Sequence, residues 1–73
     1  MAKSFDKARR EFEAILAIDP KSTVARNGLG NVAWMTDDLI AAKKHYETAL
    51  LFDPDNIAAS KNLSAVRRLL STE

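Results

Sequence analysis

The 73-residue chain is 47% hydrophobic and 29% charged, a globular composition too apolar for disorder and short enough for one small domain at most. Eleven Lys and Arg stand against ten Asp and Glu, so no global field attracts nucleic acid or an anionic membrane. With no cysteine there is neither a disulfide framework nor a thiolate metal site, and no apolar run reaches the ~20 residues that span a bilayer. The N-terminal stretch MAKSFDKARREF is charged throughout and has no signal-peptide core, so the expectation is a soluble, cytoplasmic protein.

In chain order, Ser4 is a candidate cap for a first helix over 4–18. Within it Phe5, Ala8, Phe12 and Ile15 fall at i, i+3, i+7 and i+10, the stripe of an amphipathic helix. Pro20 disfavours the α region at Asp19 and ends that helix. Ser22 then caps the orphan amides of a second, over 23–35, where Ala25, Leu29 and Val32 keep helical spacing. Thr36, Asp37 and Asp38 are cap candidates for a third helix over 38–52, with Leu39, Ala42, Tyr46 and Ala49 in the register of the first. Pro54 closes it at Asp53, and Asp55 or Asn56 caps a fourth over 56–70 that carries Ala59, Leu63 and Val66. Connections this short fold sequential helices antiparallel, giving an all-α chain of helix-turn-helix pairs.

The chain also repeats itself. Laying residues 5–22 on 39–56 matches Ala8 with Ala42, Glu13 with Glu47, Leu16 with Leu50, Asp19 with Asp53 and Pro20 with Pro54. Five further positions are chemically close, among them Phe12 with Tyr46 and Ile18 with Phe52. Ala25, Leu29 and Val32 likewise recur 34 positions on as Ala59, Leu63 and Val66. The recurring Asp-Pro is therefore read as a helix-to-helix corner, without chemistry of its own.

The segment NGLGNVAWMTDDLIAAKKHYETALLFDPDN resembles the tetratricopeptide repeat, a 34-residue helix-turn-helix unit with small residues where its helices cross. With Pro54 at the family's late proline, Leu29 and Gly30 fall on its Leu-Gly pair, Ala42 and Ala49 on its small residues and Tyr46 on its aromatic. Gly30 and Ala42 let two backbones approach, and Tyr46 fills the space beside them. Departures are Arg26 in place of a Trp, Ala33 in place of a Tyr with Trp34 next to it to restore the bulk, and Asp37 in place of a turn Gly. Ile15 replaces a small Ala, so that crossing is expected to be wider or differently packed. The resemblance implies a fragment of a right-handed superhelix: a second helix without its first (5–22), one complete repeat (23–56), and a first helix without its second (57–73).

Repeat units bury their apolar faces on neighbours, and about three repeats are usually needed for stability. Both ends of this array are expected to be open. Phe5 and Phe12 at one end, and Val66, Leu69 and Leu70 at the other, are candidates for self-association into a homo-oligomer or domain swap, unless a longer parent chain covers them.

By the resemblance, function lies on the concave face lined by the first helices. The candidate peptide- or protein-binding residues are Asn27, Asn31 and Trp34, then Lys61, Asn62 and Arg68, with Val24, Met35, Ala58, Ala65 and Leu69 beside them. Asn amides bond a peptide backbone through donor and acceptor, Lys and Arg hold a carboxylate, and Trp supplies a flat apolar contact. Asn31 and Asn62 fit two places of the clamp with which some members hold acidic chaperone tails. Asn27, however, stands where that clamp needs a Lys, and its third repeat is absent. The expected function is thus a non-enzymatic interaction module, with a self-associating unit as the alternative. His45 is the sole histidine, so it forms no metal site or catalytic triad and is expected to be exposed. Asp37 and Asp38 are explained by turn and cap roles. The pairs Arg9-Arg10, Lys43-Lys44 and Arg67-Arg68 do not make a continuous basic face, so neither nucleic acid nor a cofactor is expected.

Overall fold

The computed structural model describes the backbone of residues 2–71 and the side chains of residues 4–71. Thr72 and Glu73, which close the half-repeat drawn at 57–73, lie outside the described residues. Four helices follow one another: α1 (Ala2–Ile18), α2 (Thr23–Met35), α3 (Leu39–Phe52) and α4 (Ile57–Ser71). Ser4 is not a cap, because α1 begins at Ala2 and takes Ser4 into its first turn.

The two Asp-Pro corners are built alike. Asp19 N–H donates to the Ile15 carbonyl at 2.8 Å, and Asp53 N–H to that of Ala49 at 2.9 Å, which completes each helix. The chain then turns tightly: Ser22 N–H donates to the Asp19 carbonyl and Asn56 N–H to the Asp53 carbonyl, both at 3.0 Å. Ser22 Oγ receives Ala25 N–H at 3.2 Å, and Asn56 Oδ1 receives Ala59 N–H at 2.9 Å, so each turn ends on the cap of the next helix. Of the two candidates before α4, Asn56 is the one that caps. Asp38 caps α3 through Ala41 N–H at 3.1 Å.

Between α2 and α3 the turn is of another kind. Asp37 has φ 66; its N–H donates to the Trp34 carbonyl at 3.0 Å, and Asp38 N–H reaches back to that of Ala33 at 2.8 Å. This is the paired ending of a helix on a left-handed residue, where glycine carries the least steric cost. The family's turn Gly is replaced here by a residue held in the glycine conformation.

The Cα envelope measures 35 × 31 × 15 Å. The short dimension is that of two helix layers, about 8–10 Å between axes plus about 2.3 Å of Cα radius on each side. Each helix packs on the next, and α2 also meets α4. Among the described residues, no Cα of α1 comes within 8 Å of one of α3. Thus α2 and α4 form one layer, while α1 and α3 stand apart in the other.

Between the layers lies the core, to which α2, α3 and α4 contribute and which holds no polar or charged residue among those described. Ala25, Ala42, Ala49 and Ala59 are fully buried, which brings helix axes close. Tyr46 and Val66 are the largest side chains enclosed there. A Cβ on Gly30 would lie 2.5 Å from Tyr46 Cε1, and one on Gly28 would overlap the Phe12 ring, so each glycine is a seat for an aromatic on a neighbouring helix. Ile15, in register with the buried Ala49, is instead 42% exposed.

The two ends of the array differ in what they expose. Val66 is sealed inside the chain at 0% exposure and Leu70 packs against the same cluster, so Val66 offers nothing to a second copy. The face of α4 that a following helix would meet carries Ser60, Ser64, Arg67 and Ser71, all exposed; Ser64 corresponds there to Gly30 on α2. Arg67 reaches Glu47 on α3 at 3.6 Å. This end is polar. On α1, Phe5 and Phe12 are half-buried and Ile15 and Ile18 exposed.

Candidate functional site

The layer formed by α2 and α4 gathers most of the residues proposed to bind a partner. Asn31 and Asn62, one on each helix, are joined: Asn62 Nδ2 donates to Asn31 Oδ1 at 3.4 Å. The same oxygen accepts the Tyr46 hydroxyl at 2.6 Å, which gives that buried group its partner. Burial raises the Tyr46 pKa above the usual phenol value, so the hydroxyl stays a donor at neutral pH. Asn31 is therefore a structural joint at the surface as well as a candidate contact.

Beside it, Asn31, Trp34 and Met35 line a shallow hollow of about 320 Å³. The Trp34 ring meets the Tyr46 ring edge-on, with centroids 6.4 Å apart and planes at 69°, a favourable aromatic pairing. Trp34 is half-buried and Met35 60% exposed. Lys61 and Arg68 lie exposed on α4; Arg68 is in the last turn, where a cation also complements the helix dipole.

Asn27 is engaged elsewhere. Its Nδ2 donates to Asn56 Oδ1 at 3.2 Å, while Asn56 Nδ2 donates to Asp53 Oδ2 at 3.2 Å. Asn27 thus ties α2 to the corner before α4, a role its sequence position does not announce. Its own Oδ1 is buried and has no hydrogen-bond partner among the described residues.

The opposite layer holds a second concavity. A cleft of about 370 Å³ runs between α1 and α3, with Leu29, Val32 and Ala33 as its floor and Phe5, Ala41 and His45 among its walls. Trp34 does not line this cleft, so the bulk missing at Ala33 is not restored there. His45, expected to be exposed, is half-buried. Desolvation, and next the Arg26 guanidinium, lower its pKa, against smaller raising effects of Asp38 and Glu13; the imidazole is neutral at pH 7. Of the basic pairs, Arg9 reaches Asp6 at 3.1 Å and Glu13 at 3.9 Å, and Arg67 reaches Glu47 at 3.6 Å.

Among the described residues, no group of three or more His, Cys, Asp or Glu could hold a metal ion. No helix among them is long and apolar enough to cross a membrane.

Comparison with known proteins places this geometry. The chain is 38% identical over 55 residues to Superkiller protein 3 of Schizosaccharomyces pombe, 75% of this chain and 4% of that protein. It is 31% identical over 64 residues to Protein O-mannosyl-transferase TMTC1 of Mus musculus, 88% of this chain and 7% of that protein. The chain thus spans only a small fraction of the length of these relatives. A family model described as tetratricopeptide repeat matches residues 1–67, nearly the whole described fold with its repeated corner, Gly30 seat and buried alanines. The chain belongs to the tetratricopeptide repeat family.

Proposed function

We propose that this chain is a non-enzymatic protein-interaction module that holds an extended peptide segment of a partner across the surface of α2 and α4. The observation that carries this reading is the side-by-side placement of α2 and α4, with the Asn31–Asn62 bond between them, Trp34 and Met35 on one side and the exposed Lys61 and Arg68 on the other. Met35 and Trp34 provide apolar contact, the amides pair with peptide backbone, and the two cations favour an acidic residue. An extended peptide of about ten residues, at about 3.3–3.6 Å each, matches the 35 Å length of the molecule.

The test begins by selecting binders from a displayed library of random peptides of that length. Binders should lose affinity about tenfold or more on Lys61→Ala with Arg68→Ala. Peptides indifferent to both changes and to Met35→Ala would reject the reading.

Self-association through α1 is a second reading, favoured by one specific feature. An apolar hollow of about 370 Å³ lies between α1 and α2, lined mainly by Phe5, Ala8, Phe12, Gly28, Val32 and Met35. Exposed Ile15 and Ile18 extend the apolar surface along α1. Under this reading Phe5→Lys shifts sedimentation from dimer to monomer, while a wild-type chain that is monomeric at millimolar concentration rejects it.

A further inference from the structure

We propose that the cleft between α1 and α3 is a second docking site, facing away from the α2–α4 surface, and that it accepts an aromatic side chain of a partner protein flanked by lysine or arginine. The two helices of its layer do not touch, and the cleft between them reaches down to Leu29, Val32 and Ala33 of α2, which are largely buried. At its floor Ala33 extends only a methyl group, while the neighbouring Trp34 ring is turned to Tyr46. The opening of about 370 Å³ falls in the range of side-chain and small-ligand pockets, about 300–1,000 Å³. Its apolar floor, with Phe5 and Ala41 on the walls, suits a ring.

Charge selects what accompanies the ring. Asp6 and Glu13 on α1 and Asp38 at the head of α3 line the cleft with one arginine, Arg9, which is already engaged with the two α1 carboxylates. Three carboxylates against one guanidinium leave the lining two charges negative. His45 adds none at neutral pH, and Arg26, which stands beside it, does not line the cleft. Because α1 runs antiparallel to α2, Asp6 and Asp38 stand on opposite walls of the end remote from the Asp-Pro corners, where a cation beside an inserted ring would pass between them. The α2–α4 surface presents the opposite sign in Lys61 and Arg68, so the two faces do not compete for one partner.

Capped tripeptides provide the probes: Lys-Tyr-Lys, Lys-Ala-Lys and Glu-Tyr-Glu, each titrated to millimolar concentration against the ¹⁵N-labelled chain with amide shifts as the readout. Lys-Tyr-Lys should move the amides of Ala33, Ala41 and His45 saturably. The other two should bind about tenfold more weakly or not at all. Ala33→Tyr, which fills the cleft from its floor, should abolish the response; should that variant not fold, Ala41→Leu fills it from the wall. The proposal is overturned by no saturable shift with Lys-Tyr-Lys, by equal binding of either control peptide, by shifts confined to α2 and α4, or by a folded filled variant that binds unchanged.

Discussion

The Tyr46 hydroxyl donates to Asn31 Oδ1 at 2.6 Å, across the junction of α3 with α2, while the Tyr46 ring itself is fully buried. One end of the bond is thus enclosed and the other is at the surface. Removing the acceptor strands a buried hydroxyl, at about 1–3 kcal/mol, whereas removing the hydroxyl leaves an amide that water can reach, at about 0.5–1.5 kcal/mol. Asn31→Ala should therefore unfold at lower denaturant than Tyr46→Phe. Equal midpoints would contradict the difference in burial between the two ends of the bond, and midpoints both equal to that of the wild type would mean that the bond adds little to the fold. Loss of partner binding in Asn31→Ala is for the same reason ambiguous, and Lys61 and Arg68 are the cleaner probes.

Gly30 and Gly28 separate close packing from helix propensity. Alanine is the better helix former by about 1 kcal/mol, yet at Gly30 its Cβ would press on the Tyr46 ring, held between α2 and α4. Overpacking of this kind costs about 1–3 kcal/mol, so Gly30→Ala should lower the melting temperature. At Gly28 the obstacle is the far end of the Phe12 ring on α1, which among the described helices packs on α2 alone. Gly28→Ala should cost less, and thermal melts of the two variants give the order directly.

Asp37 makes the opposite prediction. Its φ of 66 carries a steric cost of about 1–2 kcal/mol for a residue with a Cβ, partly relieved for Asp. Glycine removes that cost but enlarges the entropy of the unfolded chain. The expected balance for Asp37→Gly is a gain of about 0.5–1 kcal/mol, a rise of several degrees in melting temperature for a domain of this size. Asp37→Val should fall well below wild type in the same melt.

Acid should weaken the fold partly through His45. Its pKa in the folded protein is lowered, first by desolvation and then by Arg26, so the unfolded chain takes up its proton at a higher pH. The resulting stability is complete above the unfolded value of about 6.5 and is lost as pH falls through the lowered folded value. His45→Gln should flatten the denaturation midpoint across that window. Tyr46 acts at the other extreme: its raised pKa means stability is lost as pH climbs past about 10, where the unfolded phenol ionises first.

The helices, their corners and the Gly30 seat were legible in the sequence because each rests on local chemistry: an Asp-Pro stop, a capping side chain, a 3.6-residue stripe. What the sequence left hidden depends on the phase of one helix against another. Val66 reads as a sticky residue on a final helix, but α3 claims the same stripe that Leu63 and Val66 share, and the exposed positions of α4 include Ser60, Ser64 and Arg67 beside Leu69. Asn27 reads as a groove amide until the Asn56 corner is placed beside it. Asp55 and Asn56 are equally good caps on paper, and only the turn geometry chooses Asn56. His45 looks solvated in a helical wheel, because nothing in the sequence says that α1 and α3 stand apart with the imidazole in the wall between them.

The central claim is that a partner peptide lies across α2 and α4. It is tested most directly by the amide footprint of a library-selected peptide of about ten residues on the ¹⁵N-labelled chain. The account predicts saturable shifts at Asn31, Met35, Lys61, Ala65 and Arg68, abolished by Lys61→Ala with Arg68→Ala while the fold is retained. A footprint confined to α1 and α3, or one unchanged in that double variant, would contradict it.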